Sequence, residues 1–285
     1  MDRLLINPST KAALDRIIAS SPHAIGLQGE KESGRECISL YIAAKMLEVA
    51  EPRHYPYMHV VKCKPKDAID DIREAISFLK LKIPGESKIR RCLVFLSFEN
   101  LGHEAQNALL KSLEEPPADT VIIITTDSRG SLLPTTVSRL SWVDILPVSL
   151  SQAQEYFKNS YDKEHIEKVF LLSGGRPAMT IKLLKNYDEH PLVQSINQAK
   201  GILQADRFER LAAIDKLTKE KDFDIEIFMD SLSKILETML KNRINKNSII
   251  DYRLLANLKK LMSAKASRRY NTNQKLLLAD LFYGL

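Results

Sequence analysis

Apolar and polar residues along the first half of the chain predict strands and helices in turn. Five runs are apolar almost throughout and short enough for one strand each, at residues 24–27, 58–61, 92–96, 121–124 and 143–146. Four stretches before and between them have helical spacing, at residues 9–20, 34–49, 66–79 and 103–113. Strands that are apolar on both faces are typical of a parallel sheet covered by helices. The pattern therefore predicts an α/β domain with a doubly wound parallel sheet.

The second half of the chain has no strand pattern after Pro147 and is helical in its spacing. Residues 151–154, Ser-Gln-Ala-Gln, match a capping box, in which a hydroxyl and an amide three residues later satisfy N–H groups at a helix start. A Gly-Gly-Arg-Pro sequence at 174–177 interrupts the helical pattern. We therefore expect three domains, with the α/β domain over 1–147, a small helical domain over 148–190 and a larger helical one over 191–285.

Composition narrows the possible classes of protein. The chain has 285 residues, of which 44% are hydrophobic and 27% are charged, as in globular proteins and unlike disordered ones. Cys37, Cys63 and Cys92 lie far apart without a CxxC pair, so neither a disulfide framework nor a metal site is expected. No apolar run is long enough to span a membrane and no secretory signal is evident. We expect a cytoplasmic protein with no membrane contact.

Positive charge is concentrated near the C-terminus. The net charge is +6, yet ten basic residues and a single acidic one lie between Lys241 and Lys275. Such a segment is typical of contact with polyanions or with an acidic protein, and equally of a solvated helix face. Only Tyr252 and Tyr270 are aromatic in this segment, which disfavours a platform for stacking nucleobases.

A degenerate phosphate loop follows the first predicted strand. Residues 29–36 read Gly-Glu-Lys-Glu-Ser-Gly-Arg-Glu, whereas a P-loop reads GxxxxGK and then Ser or Thr. Gly29 and Gly34 have the required spacing. However, Arg35 replaces the lysine that meets the β- and γ-phosphates, and Glu36 replaces the hydroxyl that binds magnesium. We expect a vestigial loop without a productive ATP site.

The third predicted strand lacks the acidic residues of an active ATPase. Leu96 and Ser97 stand where an Asp would hold magnesium and a Glu would polarise the attacking water. Leucine cannot help to hold a cation, and serine is a poor general base. Glu99, two positions later, is expected to face elsewhere on the loop. Together the two motifs predict a chain that does not hydrolyse ATP by itself and binds no cofactor or metal.

Longer motifs resemble the AAA+ clamp-loader subunits of bacteria. Residues 103–117, HEAQNALLKSLEEPP, resemble the hallmark helix of that family, and residues 125–127 and 132–139 resemble its sensor-1 strand and Ser-Arg-Cys motif, with Leu140 in place of the cysteine. Weaker resemblances lie at 70–74, 173–178 and 268–278, so the likeness extends over essentially the whole chain. It implies a P-loop NTPase-like domain, a helical lid and an oligomerising helical collar.

Within that family, a degenerate P-loop with a retained Ser-Arg pair resembles the delta-prime class of DNA polymerase III subunits. That resemblance implies a stator that helps to load the sliding clamp onto primed DNA. Its partners would be the motor subunits gamma and tau and the delta subunit, with the clamp and primer–template DNA as indirect partners. No cysteine lies in residues 47–59, where relatives carry a zinc module, so zinc is not expected.

The resemblance also assigns a role to the Ser-Arg pair. It implies that Arg139 projects across a subunit interface as an arginine finger towards ATP held by a neighbouring motor subunit, with Ser138 orienting its loop. The simpler alternative is a surface arginine at the end of a helix. Two other functions stay open, an autonomous ATPase or helicase loader with an unorthodox P-loop and a basic DNA-binding module. Arg129 fits either a DNA contact or a turn.

Overall fold

The computed structural model describes residues 4–64, 68–220, 223–247, 252–267 and 274–283. The chain forms two compact units, Met1–Lys185 and Asn186–Leu285. The first unit contains the whole sheet and the helices that follow it up to Lys185. The finer division into three domains, with boundaries at 147/148 and 190/191, stays a prediction.

The first unit is built on a five-stranded parallel sheet in the order β2-β3-β4-β1-β5. Its strands are β1 (Ala24–Gln28), β2 (Met58–Lys62), β3 (Arg91–Leu96), β4 (Thr120–Thr126) and β5 (Ser141–Asp144). The helices of this unit are α1 (Pro8–Ser20), α2 (Arg35–Leu47), α3 (Ala68–Leu79), α4 (His103–Glu114), α5 (Pro134–Val137), α6 (Leu150–Phe157), α7 (Lys163–Ser173) and α8 (Pro177–Lys185). The predicted doubly wound α/β fold is confirmed.

Alternating residues of the central strands supply two cores, one on each face of the sheet. On β3, Leu93 and Phe95 pack against α3 and α4, whereas Cys92 and Val94 pack against α1 and α2. All four side chains are fully buried. Because both faces are covered by helices, the strands have no polar face, which explains the continuous apolar runs in the sequence.

The edge strand β5 begins two residues earlier than its apolar run predicts, at Ser141 and not at residue 143. Beyond the strand, the Ile145 N–H still donates to Gln28 O at 2.7 Å, but the Leu146 N–H donates to the Thr10 hydroxyl at 3.0 Å. Pro147 then has no N–H to offer. An exposed strand edge thus tolerates the polar Ser141, and side-chain hydrogen bonding ends the strand before its apolar run does.

The capping box of α6 also differs from the prediction. The N-cap is Ser149, whose Oγ accepts from Gln152 N at 3.2 Å, while Gln152 Oε1 accepts from Ser149 N at 2.7 Å. The predicted box at 151–154 is wrong by two residues. The Val148 N–H is bound to the Gly175 carbonyl, so the chain is held up to that residue and the helix starts directly afterwards.

Asn186–Leu285 contains only helices in its described part. They are α9 (Pro191–Gln204), α10 (Arg207–Leu217), α11 (Ile225–Asn247), α12 (Tyr252–Ser267) and α13 (Gln274–Tyr283). A separate apolar core, centred on Phe228, Leu232 and Leu261, holds them together. None of the helices in the described ranges is long and apolar enough to cross a membrane.

Candidate functional site

The loop at residues 29–34, which the sequence predicts to be a vestigial phosphate loop, joins β1 to α2. Gly34 is the N-cap of α2 and has a φ of 96°, a left-handed conformation that favours glycine. At the other end, Gly29 N donates to Thr126 O at 3.0 Å, and a Cβ on Gly29 would lie 2.6 Å from Ser33 Oγ. The loop therefore keeps the tight turn of a P-loop, and each glycine has a geometric reason to be there.

Inside this turn, the residue that replaces the P-loop lysine is engaged by the protein itself. Arg35 Nη1 lies 3.2 Å from Glu99 Oε1, and the two side chains are only 10% and 11% exposed. Glu99 belongs to the short 3-10 turn Phe98–Asn100 that follows β3. The expectation that Glu99 faces elsewhere is wrong, because parallel strands β1 and β3 deliver their following loops to the same edge of the sheet.

The other replaced positions also have protein partners or are buried. Glu36, in place of the magnesium-binding hydroxyl, pairs with Arg53 at 2.5 Å. The Leu96 side chain lies in the core against α1 and α2, and Ser97 has a left-handed backbone with φ of 58°. Ser97 N donates to Thr125 Oγ1 at 2.9 Å, a hydrogen bond between the ends of neighbouring strands. This set of side chains does not match the set that holds magnesium and a triphosphate.

Helix α8 and the residue just before it, Arg176, also contact the loop. Met179 N donates to Glu32 O at 3.1 Å, and Lys182 Nζ lies 2.7 Å from the Glu32 carboxylate. Arg176 Nη1 donates to Lys31 O at 3.3 Å. Main-chain and side-chain groups of the loop are therefore bound by groups of the same chain.

The three cysteines do not form a metal site, and each has a different environment. Cys37 is exposed, whereas Cys63 and Cys92 are buried. Burial, with a smaller effect from the carboxylates of Asp71 and Glu99, raises the pKa of the Cys63 thiol to about 12. Among the residues that the structure describes, no group of three or more His, Cys, Asp or Glu side chains could hold a metal ion.

Arg139 lies just after α5, in the turn that ends this helix. Its Nη1 donates to Thr135 O at 2.5 Å and to Ser138 Oγ at 3.4 Å, and its Nη2 forms an ion pair with Glu114, the last residue of α4. The Arg139 and Glu114 side chains are 29% and 47% exposed. Ser138 therefore touches the guanidinium, and Arg139 keeps access to solvent. Within the described part of the chain, the side-chain hydrogen bonds and the ion pair of Ser138 and Arg139 do not reach the phosphate loop.

Two residues that the sequence analysis missed hold α5 in place. The buried Gln106 of α4 accepts from Leu133 N at 2.9 Å and donates to Leu101 O at 3.0 Å. The indole N–H of Trp142 donates to Val137 O at 2.9 Å. A polar residue on the apolar face of α4, between Ala105 and Leu109, was the available signal for Gln106; Trp142 is the one tryptophan of the chain.

Three of the remaining basic candidates, Arg129, Lys265 and Lys275, pair with carboxylates of the chain. Arg129 stacks over the Trp142 ring, with Cζ 4.7 Å from the ring centroid, and pairs with Asp144. In this structure its contacts therefore stabilise the turn in which it lies. In the C-terminal unit, Lys265 pairs with Asp230 at 2.7 Å and Lys275 pairs with Asp215. Arg268 and Arg269 lie outside the described residues.

The sheet order, the P-loop-like turn and the helices on both faces define an AAA+-type P-loop NTPase fold in which the residues for phosphate and magnesium have been replaced. The sequence model of the family described as DNA polymerase III, delta subunit, matches residues 7–149, which is half of the chain. The chain belongs to that family.

Three known proteins are similar to this chain. The DNA polymerase III subunit delta' of Pseudomonas aeruginosa is 26% identical over 194 residues, covering 66% of this chain and 55% of that protein. The subunit delta' of Haemophilus influenzae is 33% identical over 89 residues, covering 30% and 27%. The chain thus spans about half or less of the curated relatives that it matches. The crystal structure of a DNA polymerase III gamma subunit-related protein from Thermotoga maritima shares the fold, with a TM-score of 0.61 at 19% identity, covering 96% of this chain and 97% of that one.

Proposed function

We propose that this protein is a delta-prime-type subunit of a bacterial DNA polymerase III clamp loader, a stator that helps to load the sliding clamp without hydrolysing ATP itself. Its partners would be the gamma or tau motor subunits and the delta subunit, with primer–template DNA and the clamp contacted through the assembly. The family and the delta' relatives support this assignment. The observation that carries the non-hydrolysing role is the Arg35–Glu99 ion pair at the place of the P-loop lysine.

The charges around the loop oppose the binding of a triphosphate. To reach a phosphate, Arg35 would have to leave Glu99 and uncover a carboxylate that is 11% exposed, which is costly. Two further cations beside the loop are engaged in the same way, because Glu36 pairs with Arg53 and Glu32 pairs with Lys182. The loop is thus a structural turn that keeps β1, α2 and α8 together.

The chemistry that the chain retains is the guanidinium of Arg139. In the free chain it pairs with Glu114, but both side chains are partly exposed, and exposed ion pairs contribute only about 0–1 kcal/mol. A triphosphate at a neighbouring subunit can therefore compete for the guanidinium at little cost. There Arg139 would stabilise the charge that develops on the transferring phosphoryl group. Ser138 would hold the base of the side chain through its hydroxyl contact.

The test is an Arg139→Ala variant in the reconstituted clamp loader. We expect the variant to fold and assemble, with a stability change within about 0.5 kcal/mol, as for an ordinary surface substitution. In simple GTPases, a finger in trans contributes about 10³-fold or more. Since other ATP sites in the complex keep their own residues, we expect a partial loss of DNA-stimulated ATPase activity and a larger loss of clamp loading. Arg139→Lys should rescue poorly, because a point charge lacks the planar fork.

Arg73→Ala is the matched control. Arg73 is also an arginine in a short-range ion pair of the same unit, with Asp70 at 3.1 Å, but it lies on α3 and is 75% exposed. A reconstituted complex with Arg73→Ala should load clamps at the normal rate. Unchanged loading by a complex shown to contain Arg139→Ala would exclude the finger role.

A further inference from the structure

Trp142 is held on three sides, although it lies on the edge strand of the sheet. It pairs in register with Gly26 of β1, and a Cβ built on Gly26 would lie 2.5–2.7 Å from the indole ring. The guanidinium of Arg129 covers the ring at 4.7 Å and is itself bound to Asp144, two residues further along β5. The indole is therefore confined between Gly26, which has no side chain, and Arg129, which is held by Asp144.

The indole N–H of Trp142 binds the end of α5, the helix that lies just before Arg139. It donates at 2.9 Å to the carbonyl of Val137, the last residue of α5. The turn that follows is closed by longer bonds, from Arg139 N to Thr136 O at 3.2 Å and from Leu140 N to Val137 O at 3.5 Å. Of the side-chain hydrogen bonds that Val137 and the next three residues make in the described part of the chain, the one from Trp142 is the one that reaches a strand of the sheet.

The two ends of α5 are thus held from different elements. Gln106 of α4 accepts the N–H of Leu133 at the start of the helix, and Trp142 of β5 binds the carbonyl of Val137 at its end. A helix of four residues has too few internal hydrogen bonds to keep its own orientation. Leu132, Val137 and Leu140 also pack against the core of the sheet, and these two outside bonds fix the positions of the two ends of the helix and with them the origin of the Arg139 side chain.

We propose that Trp142 is a positioning residue for Arg139, whose indole N–H fixes the end of α5 so that the guanidinium reaches the neighbouring subunit in the right place. The proposal rests on the proposed role of Arg139. The exact position of a catalytic guanidinium matters, since a displacement of about 1 Å can lower the reaction rate by a factor of about 100. Gly26 has a part in this arrangement, because any side chain there would push the indole out of place.

Trp142→Phe separates positioning from packing, because phenylalanine keeps an aromatic ring over Gly26 and removes the N–H. Loss of one net hydrogen bond corresponds to about a three- to tenfold change. We expect the reconstituted complex with Trp142→Phe to load clamps about three- to tenfold more slowly, with lower kcat for the ATP hydrolysis that depends on Arg139 and an unchanged KM for ATP. Assembly should be unchanged.

Tyr55→Phe is the matched control, because it too removes one donor from an aromatic side chain to a main-chain carbonyl. The Tyr55 hydroxyl donates to Arg90 O at 3.1 Å, at a partly buried site of the same unit away from α5. We expect Tyr55→Phe to change thermal stability about as much as Trp142→Phe does, and to leave clamp loading at the wild-type rate.

The double variant Arg139→Ala with Trp142→Phe decides whether the tryptophan acts through the arginine. If it does, the double variant loads clamps at the same rate as Arg139→Ala alone, because positioning has no effect once the finger is gone. If the losses of loading rate from the two substitutions add up in the double variant, the proposal is wrong. It is also wrong if Trp142→Phe loads clamps at the normal rate while Arg139→Ala loads them slowly. If Arg139→Ala itself loads normally, the proposed function fails, and this inference fails with it.

Discussion

Arg35 and Arg139 differ in chemistry because their carboxylate partners differ in exposure. The Arg35–Glu99 pair is about one-tenth exposed, so water cannot replace either partner, and the pair is a fixed part of the loop. The Arg139–Glu114 pair is partly open to solvent, so its partner can be exchanged. Two arginines that look alike in the sequence thus become, in the proposed function, a structural residue and a finger.

This difference leads to a stability prediction for Glu99→Ala. The substitution leaves the Arg35 guanidinium buried without its partner, which should lower the free energy of unfolding by about 2 kcal/mol. Denaturant unfolding of the full chain measures it. Asp70→Ala, which breaks the exposed pair with Arg73, is the control and should cost no more than about 0.5 kcal/mol. Equal small effects of both substitutions would mean that the Arg35–Glu99 pair is not a fixed part of the loop.

At the scale of elements, polar contacts join pieces of chain that also share an apolar core. Arg91 of β3 is an example, because its buried guanidinium donates to the carbonyls of Phe78 and Leu81 and so caps the end of α3. It also meets the carboxylate of Asp119 at the start of β4. In the helical unit, Asp215 of α10 has a similar joining role, since it binds Lys219 of its own turn and Lys275 of α13.

The Asp215 contacts predict a pH dependence. Hydrogen bonds from Lys219 and Lys275 lower the pKa of Asp215 from 3.8 to about 2. A group whose pKa is lowered by folding stabilises the folded state above its unfolded pKa and loses this effect as the pH falls through the folded pKa. Asp215→Asn should therefore be less stable than the wild type at pH 6, and the difference should disappear between about pH 4 and pH 2.

Urea unfolding followed by circular dichroism over that pH range measures the difference. Asp188→Asn is the control, because Asp188 lies in the same unit, is exposed and forms no ion pair with another described residue. It should match the wild type at every pH. A constant difference between Asp215→Asn and the wild type from pH 6 to pH 2 would show that the two lysines do not lower the pKa of Asp215.

At the scale of the whole molecule, the phosphate loop is occupied by the chain's own groups. Arg35 is bound by Glu99, Lys31 is bound by Arg176, and Glu32 is bound by Lys182 of α8. In the proposed function, this arrangement gives the subunit one nucleotide-independent shape. A subunit whose shape does not change when ATP is present is a suitable fixed support against which the motor subunits move.

We therefore expect no response of the isolated protein to magnesium ATP. A ligand present at 100 times its Kd adds about 2.7 kcal/mol to stability, which raises the Tm of a chain of this size by several degrees. Thermal unfolding with and without magnesium ATP should give the same Tm, and no ATP turnover should be measurable. A Tm shift or a turnover that persists through repeated purification and is lost in Gly34→Asp would contradict this prediction. A motor subunit measured in parallel confirms that the assay detects binding.

The sequence by itself determined the strands, the helices around them and the replaced positions at 35, 36, 96 and 97. These features are local. The spacing of apolar residues reflects the geometry of the helix or strand that they form, and a P-loop motif consists of residues that are neighbours in the chain. The order of strands, with β4 between β1 and β3, was not visible in that pattern, since buried strands of similar composition do not specify their neighbours.

Only the tertiary structure decided what the charged and polar side chains meet. Arg35 and Glu99 are 64 residues apart in the chain, and Arg139 and Glu114 are 25 apart. Trp142 lies over Gly26 because β5 pairs with β1, although the two strands are far apart in the sequence. A single hydrogen bond or ion pair contributes too little to leave a periodic pattern, and its partner is selected by packing of whole elements. For that reason the sequence predicts the replaced positions of the P-loop, whereas the internal ion pair between Arg35 and Glu99 became visible only in the tertiary structure.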